Sequence, residues 1–166
     1  MAFDSLEALF EDTLRDMYYA EKKLAKTLPR MAKKATMPDL IEAFISHAAE
    51  TENHAARIEH IFKMRDKAAR GRKCEALEGL SAESEHVMKK AEEVSVLNAG
   101  LTAAARAMEH YEIARYRTLI AWAKELGMTE AMEMLAATLS EEIAADGKLG
   151  EIARELNPVA ERADAA

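Results

Sequence analysis

Residues 47–60 read HAAETENHAARIEH, so carboxylates and imidazoles recur every three or four positions beside Phe44, Ile58, Ile61 and Phe62, the buried stripe of a helix. The same intrusion occurs elsewhere in the chain. Steps of four and three through 10, 14, 17, 21, 24 and 28 give Phe, Leu, Met, Glu, Leu and Leu, which puts Glu21 where the pattern demands an apolar residue. The series 101, 105, 108, 112 gives Leu, Ala, Met and Glu, making Glu112 a second intruder; beyond it the register meets Arg115 or shifts to Tyr116. The series 132, 135, 139, 142, 146, 149 gives Met, Leu, Leu, Glu, Asp and Leu, with Glu142 and Asp146 consecutive on the seam. Glu50 and His54 show the same spacing of four, and His47 stands one turn farther from the expected centre.

Each of four helices thereby brings a carboxylate toward one depth. A buried, unpaired carboxylate costs several kcal/mol, so Glu21, Glu50, Glu112, Glu142 and Asp146 require positive charge among them. Two divalent cations would supply it, with His54 as a nitrogen donor, and hard oxygen ligands with an imidazole suit iron or manganese. The other reading is a carboxyl network that shares protons or pairs with Arg15, Arg57, Arg106 and Arg115. Tyr18, Tyr19, Tyr111 and Tyr116 all lie within four residues of Glu21 or Glu112. They could hydrogen-bond the ligands or carry an electron; filling an amphipathic core is the plainer role.

The elements that position these residues follow from punctuation and periodicity. With 49% hydrophobic and 32% charged residues but 6 Gly and 3 Pro in 166, the chain predicts long helices and an all-α fold. A first helix opens near Asp4, with Glu7 closing a capping box, and Pro29 kinks or ends it. Pro38 starts a second helix that runs to about Lys67. Residues 68–81 read as a crossover, and Ser81 opens a short helix over 82–94. A third long helix starts near Asn98 and stops at Gly127, and a fourth spans about 129–156, ahead of a frayed tail over 157–166. The expectation is one domain over 1–166 with its core at about 4–156: two antiparallel helical hairpins joined by a crossover. The halves also match at an offset of 91 positions, which pairs Glu21 with Glu112.

The net charge of −7 argues against nucleic acid or an anionic membrane as partner. One stretch differs: KMRDKAARGRK (63–73) carries a net +5, leaving −12 for the rest, and without interleaved aromatics it reads as a solvated linker. The single Cys74 excludes an internal disulfide and any CxxC metal ribbon, and fits a reducing cytoplasm. The acidic start MAFDSLEALFED does not read as a secretory signal, and there is no apolar run long enough to span a bilayer.

Glu21, then HAAETENH, then EHYEIA (109–114), then LSEEIAAD (139–146), in that order, resemble the ferritin-like stress proteins of the bacterial YciF group and, more distantly, rubrerythrin. The resemblance covers about residues 4–156, including CEALEGL (74–80). It implies a ferritin-like four-helix bundle with a fifth short helix, a homodimer, and a dimetal centre on Glu21, Glu50, Glu112 and Glu142. Glu109, three before Glu112, resembles the extra carboxylate of rubrerythrin helices. The ferritin-like pattern has His three residues after Glu, whereas Asn53 and Ala145 stand there in this chain. Peroxide or oxygen chemistry would need an external electron donor, since the chain has no rubredoxin-type CxxC pair. A non-catalytic dimeric helical protein with a vestigial or partly occupied metal site is the alternative.

Overall fold

The structure, a computed structural model, describes residues 3–157. Five helices follow one another: α1 Leu6–Ala32, α2 Pro38–Met64, α3 Glu75–Lys90, α4 Val94–Glu125 and α5 Thr129–Leu156, with no strand among the described residues. Short links make α1/α2 and α4/α5 antiparallel hairpins, and these pack across each other through α2 against α5 and α1 against α4. The core is one apolar cluster along all four long helices, including Phe10, Leu14, Leu24, Phe44, Ile58, Leu101, Leu119 and Leu135. Each fully buried large side chain of this kind contributes about 1.5–3 kcal/mol. The all-α bundle of two hairpins, a crossover and a fifth shorter helix is the expected one.

Local differences have local causes. Ser5, not Asp4, caps α1, because its Oγ accepts from Ala8 N at 3.1 Å, the third helical N–H. Pro29 does not end the helix, which continues through it to Ala32. α2 stops at Met64, three residues early, where Asp66 adopts a positive φ of 54°. α3 starts at Glu75 rather than 82, so residues 75–81, expected to belong to the crossover, lie inside it, and Ser81 does not open it. Leu77 and Ser81 are buried, and Glu78 accepts hydrogen bonds from Tyr19 (2.6 Å) and Lys23 of α1. Gly100 lets α3 approach α4 closely: a Cβ there would sit 2.6 Å from Val87 Cγ1. Gly127, at φ 69°, makes the α4/α5 turn as expected.

Two loops are tied down by side chains. Asn98 does not start a helix but lies in the first turns of α4. Its Oδ1 accepts from Thr36 N at 3.0 Å and its Nδ2 donates to Thr36 Oγ1 at 2.9 Å, which fixes the α1/α2 turn. The basic stretch 63–73 is answered by acids of α1: Arg65 pairs with Glu7, Lys67 with Glu11, and Arg72 with Asp12 and Asp16. The tail from 158 onward lies outside the described residues. Among the described residues no helix is long and apolar enough to cross a membrane.

Candidate metal centre

At mid-height of the bundle, six titratable side chains converge. Glu21 comes from α1, His47 and His54 from α2, Glu109 and Glu112 from α4, and Glu142 from α5; none is more than 5% exposed. They form two overlapping groups, Glu21/His54/Glu142 and His47/Glu109/Glu112/Glu142, in each of which one ligand atom per residue lies within 4.8 Å of the others. Two ligand atoms on opposite sides of a metal bonded at about 2.1 Å would be about 4.2 Å apart, so both groups are of coordinating size. Glu142 is common to the two.

The contacts inside the cluster are close but poorly oriented for hydrogen bonds. His47 Nε2 lies 3.2 Å from Glu109 Oε2 and 3.4 Å from Glu142 Oε2, while His54 Nδ1 lies 2.8 Å from Glu142 Oε1 and 3.4 Å from Glu21 Oε2. None of these atoms has a hydrogen-bond partner, and neither Glu112 oxygen has one. Eight of the ten buried unpartnered side-chain atoms among the described residues belong to this cluster. Buried polar atoms are ordinarily satisfied, so such a concentration fits a group of atoms aimed at a common guest.

The outward-facing atoms, by contrast, are satisfied. His47 Nδ1 lies 3.2 Å from Glu50 Oε2, and His54 Nε2 lies 2.8 Å from Glu141 Oε2. Arg57 grips Glu141 through both terminal nitrogens. Tyr116, fully buried, donates its hydroxyl to Glu21 Oε1. Each imidazole is therefore oriented by a carboxylate on its outer nitrogen and presents its inner nitrogen to the cluster, the arrangement found behind metal-bound histidines.

Electrostatics match this geometry. Burial, reinforced by Glu21, Glu142 and Glu109, pushes Glu112 well above the ordinary carboxylate range. Burial likewise raises Glu21, against the opposing pull of His54, and lifts Glu142 to about 7. Burial alone would lower the histidines, but Glu109 outweighs it at His47 and Glu142 with Glu21 at His54, raising both to about 10. Burial and the same carboxylates push Tyr116 far above its usual value. Without a metal, four buried carboxylates are thus offset only by the two imidazoles, and two divalent ions would supply the remaining positive charge. Four oxygen-donor side chains and two imidazoles form a donor set that fits iron or manganese.

Of the residues singled out in the sequence, Glu21, His54, Glu109, Glu112 and Glu142 are brought together. Glu50 is not among them: its side chain is 43% exposed and meets the outer nitrogen of His47. Asp146 also stands outside, paired with Arg106 Nε at 2.8 Å. Both displacements follow from helix rotation. The buried side of α5 runs through 135, 138, 142, 149 and 152, so the heptad residues 135, 142 and 149 face inward together with 138 and 152, and not with 139, 146 and 153. On α2 the buried series 44, 47, 51, 54, 58, 61 carries both histidines and leaves Glu50 at the edge. That series was readable in the sequence as Phe, His, Thr, His, Ile, Ile, and was the signal for His47.

The arginines offered as alternative partners are engaged elsewhere: Arg15 with Glu11, Arg57 with Glu141, Arg106 with Asp146, and Arg115 over the Tyr111 ring at 5.3 Å. Tyr116 alone of the four tyrosines bonds a cluster residue. Tyr18 and Tyr19 bond Glu59 and Glu78, and Tyr111 lies 2.9 Å from the buried Cys74 Sγ.

The family model described as "Domain of unknown function (DUF892)" matches residues 5–161. Protein YciF of Escherichia coli (strain K12) is 38% identical over 165 residues, 99% of this chain and 98% of that protein. The crystal structure of the E. coli stress protein YciF superposes with a TM-score of 0.90 at 36% identity, covering 95% of this chain and 99% of that one. YcfI of Rhodopseudomonas palustris, described as a candidate structural protein, superposes with a TM-score of 0.87 at 41% identity over 90% of this chain and 97% of its own. A Xanthomonas campestris protein at 21% identity and a TM-score of 0.72, covering 97% and 99%, shares the fold.

Proposed function

This chain belongs to the DUF892 family, and from that premise we propose that it holds two divalent metal ions, iron or manganese, and serves in cytoplasmic stress protection by acting on peroxide or dioxygen. The observation that carries the reading is the orientation of the two imidazoles, each braced from outside by a carboxylate and facing four buried carboxylates from inside. Glu21, His54 and Glu142 would hold one ion, and His47, Glu109, Glu112 and Glu142 the other. Such ions supply Lewis acidity and electron exchange toward a small oxidant. The chain itself fixes the donors: Tyr116 orients Glu21, Glu141 and Arg57 orient His54, and Glu50 orients His47. The stress role follows the description of the E. coli relative, and turnover would draw on an external electron donor.

The test is metal content by mass spectrometry on protein purified without chelator and reloaded anaerobically with Fe(II), beside a Glu112→Gln/Glu142→Gln double variant. About two metals per chain, lost in the variant, is the expected result. Metal in neither protein would overturn the reading.

A second reading is a non-catalytic helical protein in which the metal is structural or partial. It is favoured by Asn53 and Ala145, which offer no imidazole, by the engagement of Asp146 with Arg106, and by the structural role ascribed to the R. palustris relative. Peroxide consumption by the iron-loaded protein separates the two. The proposal includes pairing of two copies, for which Ile45, Val94, Val96 and Ile143 supply exposed apolar surface; light scattering reads the mass directly.

A further inference from the structure

The two ends of the cluster differ in their access to solvent. At one end Glu21 and His54 have no exposed surface, Tyr116 covers Glu21, and the Arg57–Glu141 pair covers the outer edge of His54. At the other, His47 keeps 5% exposure and lines a cavity of about 130 Å³ between α2 and α5. The walls of that cavity pass from exposed Ser46, Ala144 and Lys148 to buried His47 and Glu109. His47 Nε2 and Glu109 Oε2, two of the unpartnered atoms, therefore belong to the residues at its inner end.

Small side chains make this opening. Ala145, three residues after Glu142, lines it together with Ala43 and Ala144. An imidazole at 145 would fill part of the cavity. The space holds about four waters at roughly 30 Å³ each, well below the roughly 300–1,000 Å³ of sites for organic ligands. Leu28, Phe44 and Leu149 give it apolar walls, and Glu50 lines it beside His47.

We propose that this cavity is the passage by which a ligand of two or three non-hydrogen atoms, of the size of hydrogen peroxide, reaches the His47/Glu109 end of the centre. The inference rests on the dimetal reading above and adds to it the route and the size class of what reacts there.

The test uses azide, a three-atom anion, as the probe on Co(II)-loaded protein, with the cobalt absorption bands followed by stopped flow. Ala145→Leu and Ser46→Phe narrow the passage from its two walls, and neither residue is a ligand. The expected result is rapid perturbation of the spectrum in the parent protein and an azide association rate at least tenfold lower in the variants, with cobalt content unchanged. Ser46 is exposed, so Ser46→Phe carries the test where Ala145→Leu disturbs packing. Unchanged rates in the variants, or a cobalt-loaded parent protein that does not respond to azide, would overturn the passage while leaving the metal centre standing. A parent protein that takes up no cobalt would overturn the dimetal reading and this inference with it.

Discussion

The imidazole of His54 is pinned by Glu141: Nε2 lies 2.8 Å from Glu141 Oε2, and the opposite ring nitrogen, Nδ1, is left 2.8 Å from Glu142 Oε1. Adjacent carboxylates of one helix thus address opposite edges of one ring, one from the surface side and one from the core. Arg57 holds the outer carboxylate in place. Removing an outer partner of this kind typically costs about 10–100-fold in metal affinity without removing a ligand. If the proposed centre forms, Glu141→Ala should weaken binding of the ion held by His54 by that factor, and Glu50→Ala should do the same for the ion held by His47. Calorimetric titration with Mn(II) reads both, at an unchanged stoichiometry. Affinities equal to the parent protein's in both variants would show that the outer carboxylates do not orient the rings toward a metal.

The same cluster sets the pH dependence of the metal-free protein. Glu142 is raised to about 7 by burial, above its ordinary value, so its contribution to stability is full below the unfolded pKa and is lost as pH rises through about 7. His47 and His54, at about 10 in the fold, contribute stability that is full below about 6.5 and lost as pH rises toward 10. All three slopes have the same sign. On the acid side, Glu11 is held below its ordinary value, first by Lys67 and also by Arg15, so its contribution falls away only as pH drops below the usual carboxylate range. The thermal midpoint of chelator-treated protein should therefore be highest near ~pH 5 and decline steadily toward ~pH 9. With Mn(II) present the decline should flatten or reverse, because metal and protons compete for the same atoms. A metal-free midpoint that rises between these two pH values would contradict the cluster's charge state.

Asn98 gives a prediction independent of any metal. Its amide satisfies Thr36 N and Thr36 Oγ1 from α4, across 62 residues of chain. Asn98→Ala leaves the Thr36 amide without that acceptor, at a cost of about 1–3 kcal/mol. Chemical denaturation should show the loss, and hydrogen exchange should show it concentrated at residues 33–37. A uniform loss of protection over the bundle would mean that Asn98 acts on the core rather than on the turn.

How far the sequence carries the fold can be judged from these residues. The four long helices were legible because apolar positions recur over many turns and Pro38 and Gly127 mark their limits. The start of α3 was not, because residues 68–81 show no clear period and the helix is stabilised by the contacts of Glu78 with Tyr19 and Lys23 and by the burial of Leu77, which propensity does not contain. In the site, Glu21, Glu112 and Glu142 stood out as single polar residues on an apolar stripe. Glu50 and His47 exchanged places relative to expectation: three residues apart, they differ by only about 60° around the helix, and that angle decides which of them faces inward. Asp146 lies on the outer flank of the α5 stripe, whose inner flank is Thr138 and Ile152, and Arg106 takes it up.

Glu112 offers the sharpest separation of metal binding from stability. Both its oxygens are buried without hydrogen-bond partners, and burial with three neighbouring carboxylates pushes it well above the ordinary range. In the absence of metal it contributes little but desolvation and repulsion. Replacing a whole buried ion pair with apolar residues of similar volume is often neutral or stabilising by about 1–4 kcal/mol, and Glu112 has no hydrogen-bond partner to leave behind, so Glu112→Leu should make the metal-free protein more stable. The same substitution removes a proposed ligand, so any rise in thermal midpoint that Mn(II) gives the parent protein should shrink or vanish. Opposite signs for one residue in two conditions are hard to obtain from a structural role alone. A Glu112→Leu protein less stable than its parent when both are metal-free would mean that the carboxyl makes favourable contacts of its own, and the case for a held-open metal site would weaken accordingly.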